Sequence, residues 1–418
     1  MVDRSPNILL IITDQQARQA MGAYGNSSLR TPNMDAIASN GVRFERSYCA
    51  SPVCGPSRNS LYTGRMPHET GALVNGLHPK PNLPTIGSIF AEAGYAAAWA
   101  GGWGMPVTDS AVEYLSRDLW GNMRYGSQSD STVADNAVSF LEREHDRPFM
   151  LSVCLTNPHD ICWSVREDPV AHPNVNSYPQ LPENFAVDPE EPGLIQWCRE
   201  RPYYGEELQY TRQWSEPDWR SYLNTYYRLV EEVDQQVGRI VESLRRQGLE
   251  QETLIVFTSD HGEGMAAHKW IVKLSLYENP VSVPLIVSWK GMTPPGVSDE
   301  NHLVSGIDIL PTICDYASIP CPDEVTGTSL RPYIEKPTLS GREYVTAELY
   351  PDTKDLGKMA IMIRSQRHKF IRCSEGTNPE QLFDMRDDPG EIRNLAGQAH
   401  MKTILKRHRR WADDYLGH

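Results

Sequence analysis

The sequence predicts an α/β fold followed by a smaller C-terminal α+β part, and three observations carry the prediction. Short apolar runs ending in polar or acidic residues recur along the chain, segments with apolar residues at helical spacing lie between them, and closely spaced strand patterns take over after Gly327-Thr328-Ser329-Leu330-Arg331-Pro332. We therefore expect a body over residues 1–332 and a subdomain over 333–418. A length of 418 residues with 39% hydrophobic content provides enough core for both.

Taken in order, Asn7 to Thr13 is an apolar run that reads as a buried parallel strand, delivering Asp14-Gln15 at its carboxyl end. Open α/β sheets bind their ligands at such ends. Pro56 suits the first position of a helix that Gly64 can end, which places Cys54 at the helix's positive end, beside Arg58. A helix from Ile86 to Ala93, closed by Gly94, leads into a strand from Tyr95 to Ala100. The apolar run Phe149 to Leu155 ends in Asn157-Pro158-His159-Asp160. Residues 160–220 differ in kind: they are rich in proline, carry Trp163, Trp197, Trp214 and Trp219, and show little periodicity. Loops of that length in a compact domain serve as lids or binding loops, so insertion loops over a site are expected. Their aromatic faces either stack on a sugar or pin the loops to the body.

From Tyr222 to Arg246, Leu229, Val233, Val237, Ile240, Val241 and Leu244 recur at helical spacing, and Gly248 ends the segment. The β-rich run Thr253 to Thr258 then delivers Asp260-His261-Gly262, much as the first strand delivers Asp14. Beyond Pro284 to Ser288 and a helical Ile307 to Thr312, strands are expected around Tyr344 to Glu348, Met359 to Arg364 and His368 to Arg372. A turn from Asp384 to Gly390 and a terminal helix complete the expectation.

A net charge of −14 argues against nucleic acid and anionic membrane as partners. No apolar run approaches the length of a membrane span, and Ile8 to Ile12 lacks a basic leader. The expectation is a cytoplasmic protein as the sequence stands, or a periplasmic or secreted one if a leader has been removed. The eight cysteines lack zinc-ligand spacing and are unlike a dense disulfide framework, so most are expected as free thiols.

Chemistry concentrates at Cys54-Gly55-Pro56-Ser57-Arg58 with its trailing Thr63-Gly64-Arg65. A helix N-terminus beside an arginine welcomes an anion and suits a negatively charged ester. Arg58, Arg65 and Lys273 form the expected local cationic cluster, and screening over roughly 8 Å lets it act despite distant acids. The Cys-x-Pro-x-Arg pattern resembles the signature of the sulfatase family of the alkaline phosphatase superfamily, whose cysteine is oxidised to formylglycine, an aldehyde hydrated to a gem-diol. Similar blocks run from Gly22 to Asn26, Thr31 to Asp35, Gly41 to Phe44, Asp387 to Glu391 and Asn394-Leu395. The likeness covers nearly the whole chain and is weakest at residues 105–145 and 160–220.

The resemblance implies an alkaline phosphatase-like three-layer α/β/α sandwich with a C-terminal α+β subdomain containing a short antiparallel sheet. It also implies hydrolysis of a sulfate ester: a gem-diol oxygen attacks sulfur and expels the alcohol, and the second hydroxyl then ejects sulfate. Catalytic roles fall to Cys54, Arg58, Lys273 and His159, the last as acid to the leaving alkoxide. Asn75, His268 and Trp103 fall near the substrate. Asp14, Gln15, Asp260, His261 and the modified Cys54 would hold one divalent cation, which the resemblance suggests is calcium. A nitrogen ligand keeps magnesium, manganese and zinc open. A maturase that makes formylglycine is an implied partner, alongside a small-molecule or saccharide sulfate ester.

Asp-Gln paired with Asp-His resembles the branch containing choline sulfatases and phosphonate monoester hydrolases, so phosphonate monoester or phosphodiester hydrolysis is an alternative activity. One departure stands out: Gly101-Gly102-Trp103-Gly104 replaces the Gly-Lys-Trp-His of many members. The missing lysine and histidine leave three options: replacement by a loop residue such as Arg212 or a histidine, room for a larger substrate, or a degenerate sulfated-ligand-binding protein. The tryptophans of residues 160–220 and the open wall at Gly102 and Gly104 favour a carbohydrate sulfate.

Overall fold

The computed structural model describes residues 5–101, 111–116, 126–165, 177–200 and 210–417. Its main sheet has eight strands: β1 (Asn7–Asp14), β2 (Val42–Phe44), β4 (Ala96–Gly101), β5 (Glu113–Tyr114), β6 (Phe149–Pro158), β7 (Thr253–Ser259), β8 (Leu285–Ser288) and β9 (Val297–Asp299). They lie in the order β5-β4-β6-β1-β7-β8-β2-β9. All adjacent pairs are parallel except those of β8 with β7 and β2. A separate two-stranded pairing joins β3 (Ser47–Tyr48) to β10 (Val304–Ser305).

β1 is central and buried along its whole length, so both of its faces carry core residues. Side chains alternate across a strand. Ile8, Leu10 and Ile12 pack with Leu61, Ile89, Leu310 and Ile313, from the helices Cys54–Thr63, Ile86–Glu92 and Ile309–Ala317. Leu9 and Ile11 pack with Ile37, Val133, Val237 and Ile240, from the helices Pro32–Ser39, Gly126–Leu141 and Glu216–Arg246. Helices on two faces of one sheet make the three-layer α/β/α sandwich.

The second sheet is antiparallel, β11 (Tyr344–Leu349), β12 (Ala360–Ser365), β13 (His368–Cys373) and β14 (Glu380–Asp384), in that order. Its faces follow the same period of two. Ile361, Ile363, Phe370 and Leu382 meet Leu405 and Trp411 of the terminal helix Lys402–Leu416. Ala360, Met362, Ile371 and Phe383 join a core cluster with Trp270, Tyr277 and Val281. β14 was not expected. Its Leu382 and Phe383 are consecutive and buried on opposite faces, so the segment lacks the alternation of a half-exposed strand.

Two further expectations are corrected. The helix that presents Cys54 begins at Cys54 itself, with Val53 as an extended N-cap, so Pro56 is its third residue, where its lack of an N–H still costs nothing. Residues 160–220 contain helices at Ile161–Ser164 and Gly193–Glu200, and the long helix starts at Glu216 rather than near Tyr222. Trp219 is buried, edge-on to Phe185, Trp214 and Tyr222, which is the pinning role for that ring. Among the described residues, no helix is long and apolar enough to cross a membrane.

Candidate active site

Parallel pairing sets the site. β1 and β7 run side by side in a register that matches Thr13 with Ser259, so the next residues, Asp14 and Asp260, emerge together at the carboxyl end of the sheet. Just beyond, Gln15 turns back at a left-handed φ of 71°. Its N–H donates to Asp260 Oδ1 at 3.0 Å, and its carbonyl accepts the Tyr226 hydroxyl at 2.8 Å, so partners on two elements hold the disfavoured backbone.

Cys54 arrives from the other side, at the N-terminus of its helix. The Gly55 N–H, one of the helix's free donors, goes to Asn75 Oδ1 at 2.7 Å. A Cβ at residue 55 would sit 2.6 Å from that oxygen, which explains the glycine next to the cysteine. The sulfur is buried and meets Lys273 Nζ at 2.8 Å, His261 Nε2 at 3.1 Å and Asp14 Oδ1 at 3.7 Å. Asp14, Cys54, Asp260 and His261 each offer a potential ligand atom within 4.8 Å of one another.

Arg58 lies one turn into the helix and joins the two strand tips. Its Nε donates to Asp260 Oδ2 at 2.9 Å and its Nη2 to Asp14 Oδ2 at 3.0 Å, all three side chains being buried. Burial and the neighbouring Asp260 push the Asp14 carboxyl up. Burial also works against charge on Asp260, but His261, Arg58 and Lys273 outweigh it and hold that carboxyl at about 2. Burial lowers His261 to about 4 despite both aspartates, so its ring is neutral near pH 7. The Gly262 carbonyl, 2.8 Å from Nδ1, can only accept, which puts the ring proton on Nδ1 and leaves the Nε2 lone pair facing Cys54. Burial, then Asp14, pushes the thiol far up.

Seven of the expected residues therefore meet: Asp14, Gln15, Cys54, Arg58, Asp260, His261 and Lys273. Lys273 also donates to Gln15 Oε1 at 3.3 Å. Asn75 lies at the base of the Cys54 helix. His159 follows β6, which pairs with β1, and its half-buried ring lies 6.4 Å from Trp163. Trp103, with Gly102 and Gly104, lies outside the described residues.

Other expectations do not hold. His268 is buried and stacked on Tyr277 with centroids 4.2 Å apart, so its ring packs in the core instead of facing substrate. Arg65 points away at the opposite end of the helix and pairs with Glu324 at the surface. Arg212 is exposed and lines a cleft with Glu191, Arg199, Trp214 and Lys269, which contains none of the Cys54 cluster.

Sequence reasoning missed Ser57, whose hydroxyl donates to the Asp260 carbonyl, and Tyr226 beneath Gln15. It also missed Glu263, a fully buried carboxylate that touches Gln15. The signal for Glu263 was its place directly after Asp260-His261-Gly262; that for the tyrosine was a hydroxyl on the buried face of a long amphipathic helix.

The family described as Sulfatase matches residues 6–319. The chain belongs to the sulfatase family. A second family description, N-sulphoglucosamine sulphohydrolase, C-terminal, matches residues 266–413. A delta 4,5-hexuronate-2-O-sulfatase of Bacteroides thetaiotaomicron is 32% identical to this sulfatase, over 98% of this chain and 89% of the relative. A solved structure of a 2-O GAG sulfatase superposes with a TM-score of 0.88 at 29% identity, covering 99% of this chain and 92% of the other. The phosphonate monoester hydrolase of Agrobacterium radiobacter shares the fold, with a TM-score of 0.81 at 22% identity and coverage of 99% and 95%.

This sulfatase is thus a sulfuric ester hydrolase, of a family that uses a divalent metal and formylglycine. The donor set fits such an ion. Two buried carboxylates face one space, burial and then their repulsion raise Asp14, and a bare imidazole nitrogen and a carboxamide oxygen are turned the same way.

Proposed function

We propose that this enzyme removes sulfate from a sulfated saccharide, with residue 54 as formylglycine and calcium as its ion. The observation that carries the assignment of roles is the meeting of Lys273 Nζ and His261 Nε2 at the Cys54 sulfur, 2.8 and 3.1 Å away. That sulfur occupies the place of the formylglycine carbon substituents, so the two side chains flank the nucleophile. The saccharide reading is supported by the relatives, which are named as sulfatases of a hexuronate and of a GAG and span nearly the whole chain.

Asp14, Gln15, Asp260 and His261 would hold the ion, together with an oxygen of the modified residue 54. When bound, a divalent cation polarises a sulfate oxygen and makes a coordinated hydroxyl more acidic. Arg58 keeps the two carboxylates in place from behind, and Asn75 fixes the helix start that aims residue 54. Lys273 presents an ammonium to the sulfate oxygens, where negative charge grows as the ester bond breaks. His159 protonates the departing alcohol oxygen. Trp103, beside the glycines that replace a lysine and a histidine, would border the sugar.

The test is a panel of 2-O- and 6-O-sulfated saccharides, choline sulfate, an aryl sulfate and a phosphonate monoester. The enzyme is produced with a formylglycine-generating maturase, and conversion at residue 54 is verified by intact mass. Desulfation of a saccharide, abolished by Cys54→Ala, is expected. Faster cleavage of the phosphonate ester than of every sulfate would overturn the reading, as would fully converted enzyme that leaves all the saccharides intact.

A further inference from the structure

Glu263 is a fully buried carboxylate, and among the described residues it forms no ion pair. Such a group is costly unless its oxygens are filled by donors. Three donors fill them. Gln15 Nε2 reaches Oε2 at 2.5 Å, and Oε1 accepts both the Tyr222 hydroxyl and the Val272 N–H. These come from three places: the tip of β1, the helix Glu216–Arg246, and the loop that carries Lys273.

A carboxamide has two ends of opposite character, and at Gln15 the choice between them matters. A carboxylate accepts only, so it forces the amide to present Nε2. Oε1 then faces the other way, where Lys273 Nζ lies 3.3 Å off, alongside Cys54. Reversing the amide would set oxygen against Glu263 and NH2 against the ammonium, losing both contacts. We propose that Glu263 is a positioning residue, whose carboxylate locks the Gln15 carboxamide with its oxygen turned toward Lys273 and the cation site.

Tyr222 extends the arrangement outward. Its hydroxyl anchors Glu263, while its ring packs against Trp214 and Trp219, with centroids 5.8 and 6.2 Å away. The aromatic cluster at the edge of the 160–220 segment is thus two hydrogen bonds from Gln15, through Tyr222 and Glu263.

The proposal rests on the reading of Gln15 as a cation ligand. Glu263→Gln keeps the shape of the side chain but can satisfy either amide orientation, so it releases the lock without emptying the space. The experiment measures calcium affinity by titration calorimetry on metal-stripped wild type, Glu263→Gln, Gln15→Ala and the double variant, each first shown by thermal melting to fold. Steady-state kinetics on an aryl sulfate follow. A loss of about tenfold in calcium affinity is expected for Glu263→Gln, in line with other partners of metal ligands. In the double variant that loss should add nothing to the loss from Gln15→Ala, since Glu263 acts through that residue. At saturating calcium, KM should stay near wild type while kcat falls.

Wild-type affinity in Glu263→Gln, or a loss that adds in full to that of Gln15→Ala, overturns the proposal. A wild type that binds no calcium, magnesium or manganese overturns the cation reading itself, and this proposal with it. Should Glu263→Gln fail to fold, Tyr222→Phe, which keeps the carboxylate but removes one of its anchors, enters the same cycle. A loss of about threefold that disappears in the Gln15→Ala background supports the proposal, and its persistence there sinks it.

Discussion

Arg58 shows how the site tolerates two fully buried carboxylates. Each aspartate has one oxygen on the guanidinium; the other faces Cys54 in Asp14 and accepts the Gln15 and His261 N–H groups in Asp260, so the arginine neutralises charge without blocking the side that faces Cys54. Removing it takes from two buried acids the one partner that pairs with both, and Arg58→Ala is expected to destabilise the metal-free protein by about 3–5 kcal/mol. Chemical denaturation measures this. Arg58→Lys should recover only part of the loss, because a point ammonium cannot reproduce a planar fork with two oriented donors. Lys273 has a different task, meeting one carboxamide and the sulfur instead of bridging the acids. Lys273→Ala should therefore lower kcat by about 10²–10³ in preparations matched for conversion at residue 54. An unchanged kcat would remove Lys273 from the reaction. At this scale the sequence was legible where a residue lies in the motif or at a strand end, as with Asp14, Cys54, Arg58 and Asp260. Glu263 and Tyr226 were not, because a single buried carboxylate or tyrosine shows its meaning only through its partners.

The helix Cys54–Thr63 is the element that aims the nucleophile, and both of its ends are specified. Its N-terminus is tied to Asn75, and its C-terminus closes at Gly64 with φ 66°, whose N–H returns to the Ser60 carbonyl. A Cβ at residue 64 would stand 2.7 Å from Val325 Cγ1, so strain and overlap act together there. Gly64→Ala should cost about 1–2 kcal/mol, seen as a lower denaturation midpoint. Wild-type stability in that variant would mean that the turn relaxes freely. Stops of this kind were readable in the sequence: Gly64, Gly94 and Gly248 all take positive φ next to helix ends. Starts were less legible. The capping box of Ser215 and Asp218 opens the longest helix, but it lay within a segment whose prolines and tryptophans suggested loop. The resemblance put His268 near the substrate, yet the six left-handed residues from Met265 to Leu274 turn the chain so that Lys273 enters the site while His268 enters the core.

Across the molecule, the α/β class was legible because buried parallel strands and amphipathic helices each leave a periodic trace, while the three-layer sandwich came from the family resemblance. The strand order was not, since register between distant strands depends on contacts that no local pattern encodes. One consequence of the completed packing is a dependence of stability on acid. His408 joins the terminal helix to the second sheet: its Nδ1 donates to the Ile404 carbonyl at 2.9 Å, and its Nε2 lies 2.9 Å from the Ser365 hydroxyl. Burial lowers this ring to about 4, and burial does the same to His268. Unfolded histidine titrates near 6.5. Between about pH 6.5 and 4 these two rings therefore bind more protons in the unfolded chain than in the folded one, and the stability they contribute rises with pH. The contribution is complete above about pH 6.5 and is lost as the pH falls toward 4, by up to about 3 kcal/mol for each ring. His68 acts in the opposite sense, since its hydrogen bond to Glu348 raises it and favours the folded state at lower pH. It is half-buried, so its effect is screened. Asp130, which burial pushes up to about 7, also favours the folded state at lower pH, while His261, lowered by burial, sides with the two core rings. With melting temperature measured from pH 7.5 down to 4, His408→Gln, which cannot gain a proton, should respond less unfavourably to acid than the wild type. An identical slope in that variant would show that His408 does not carry the acid sensitivity of the fold.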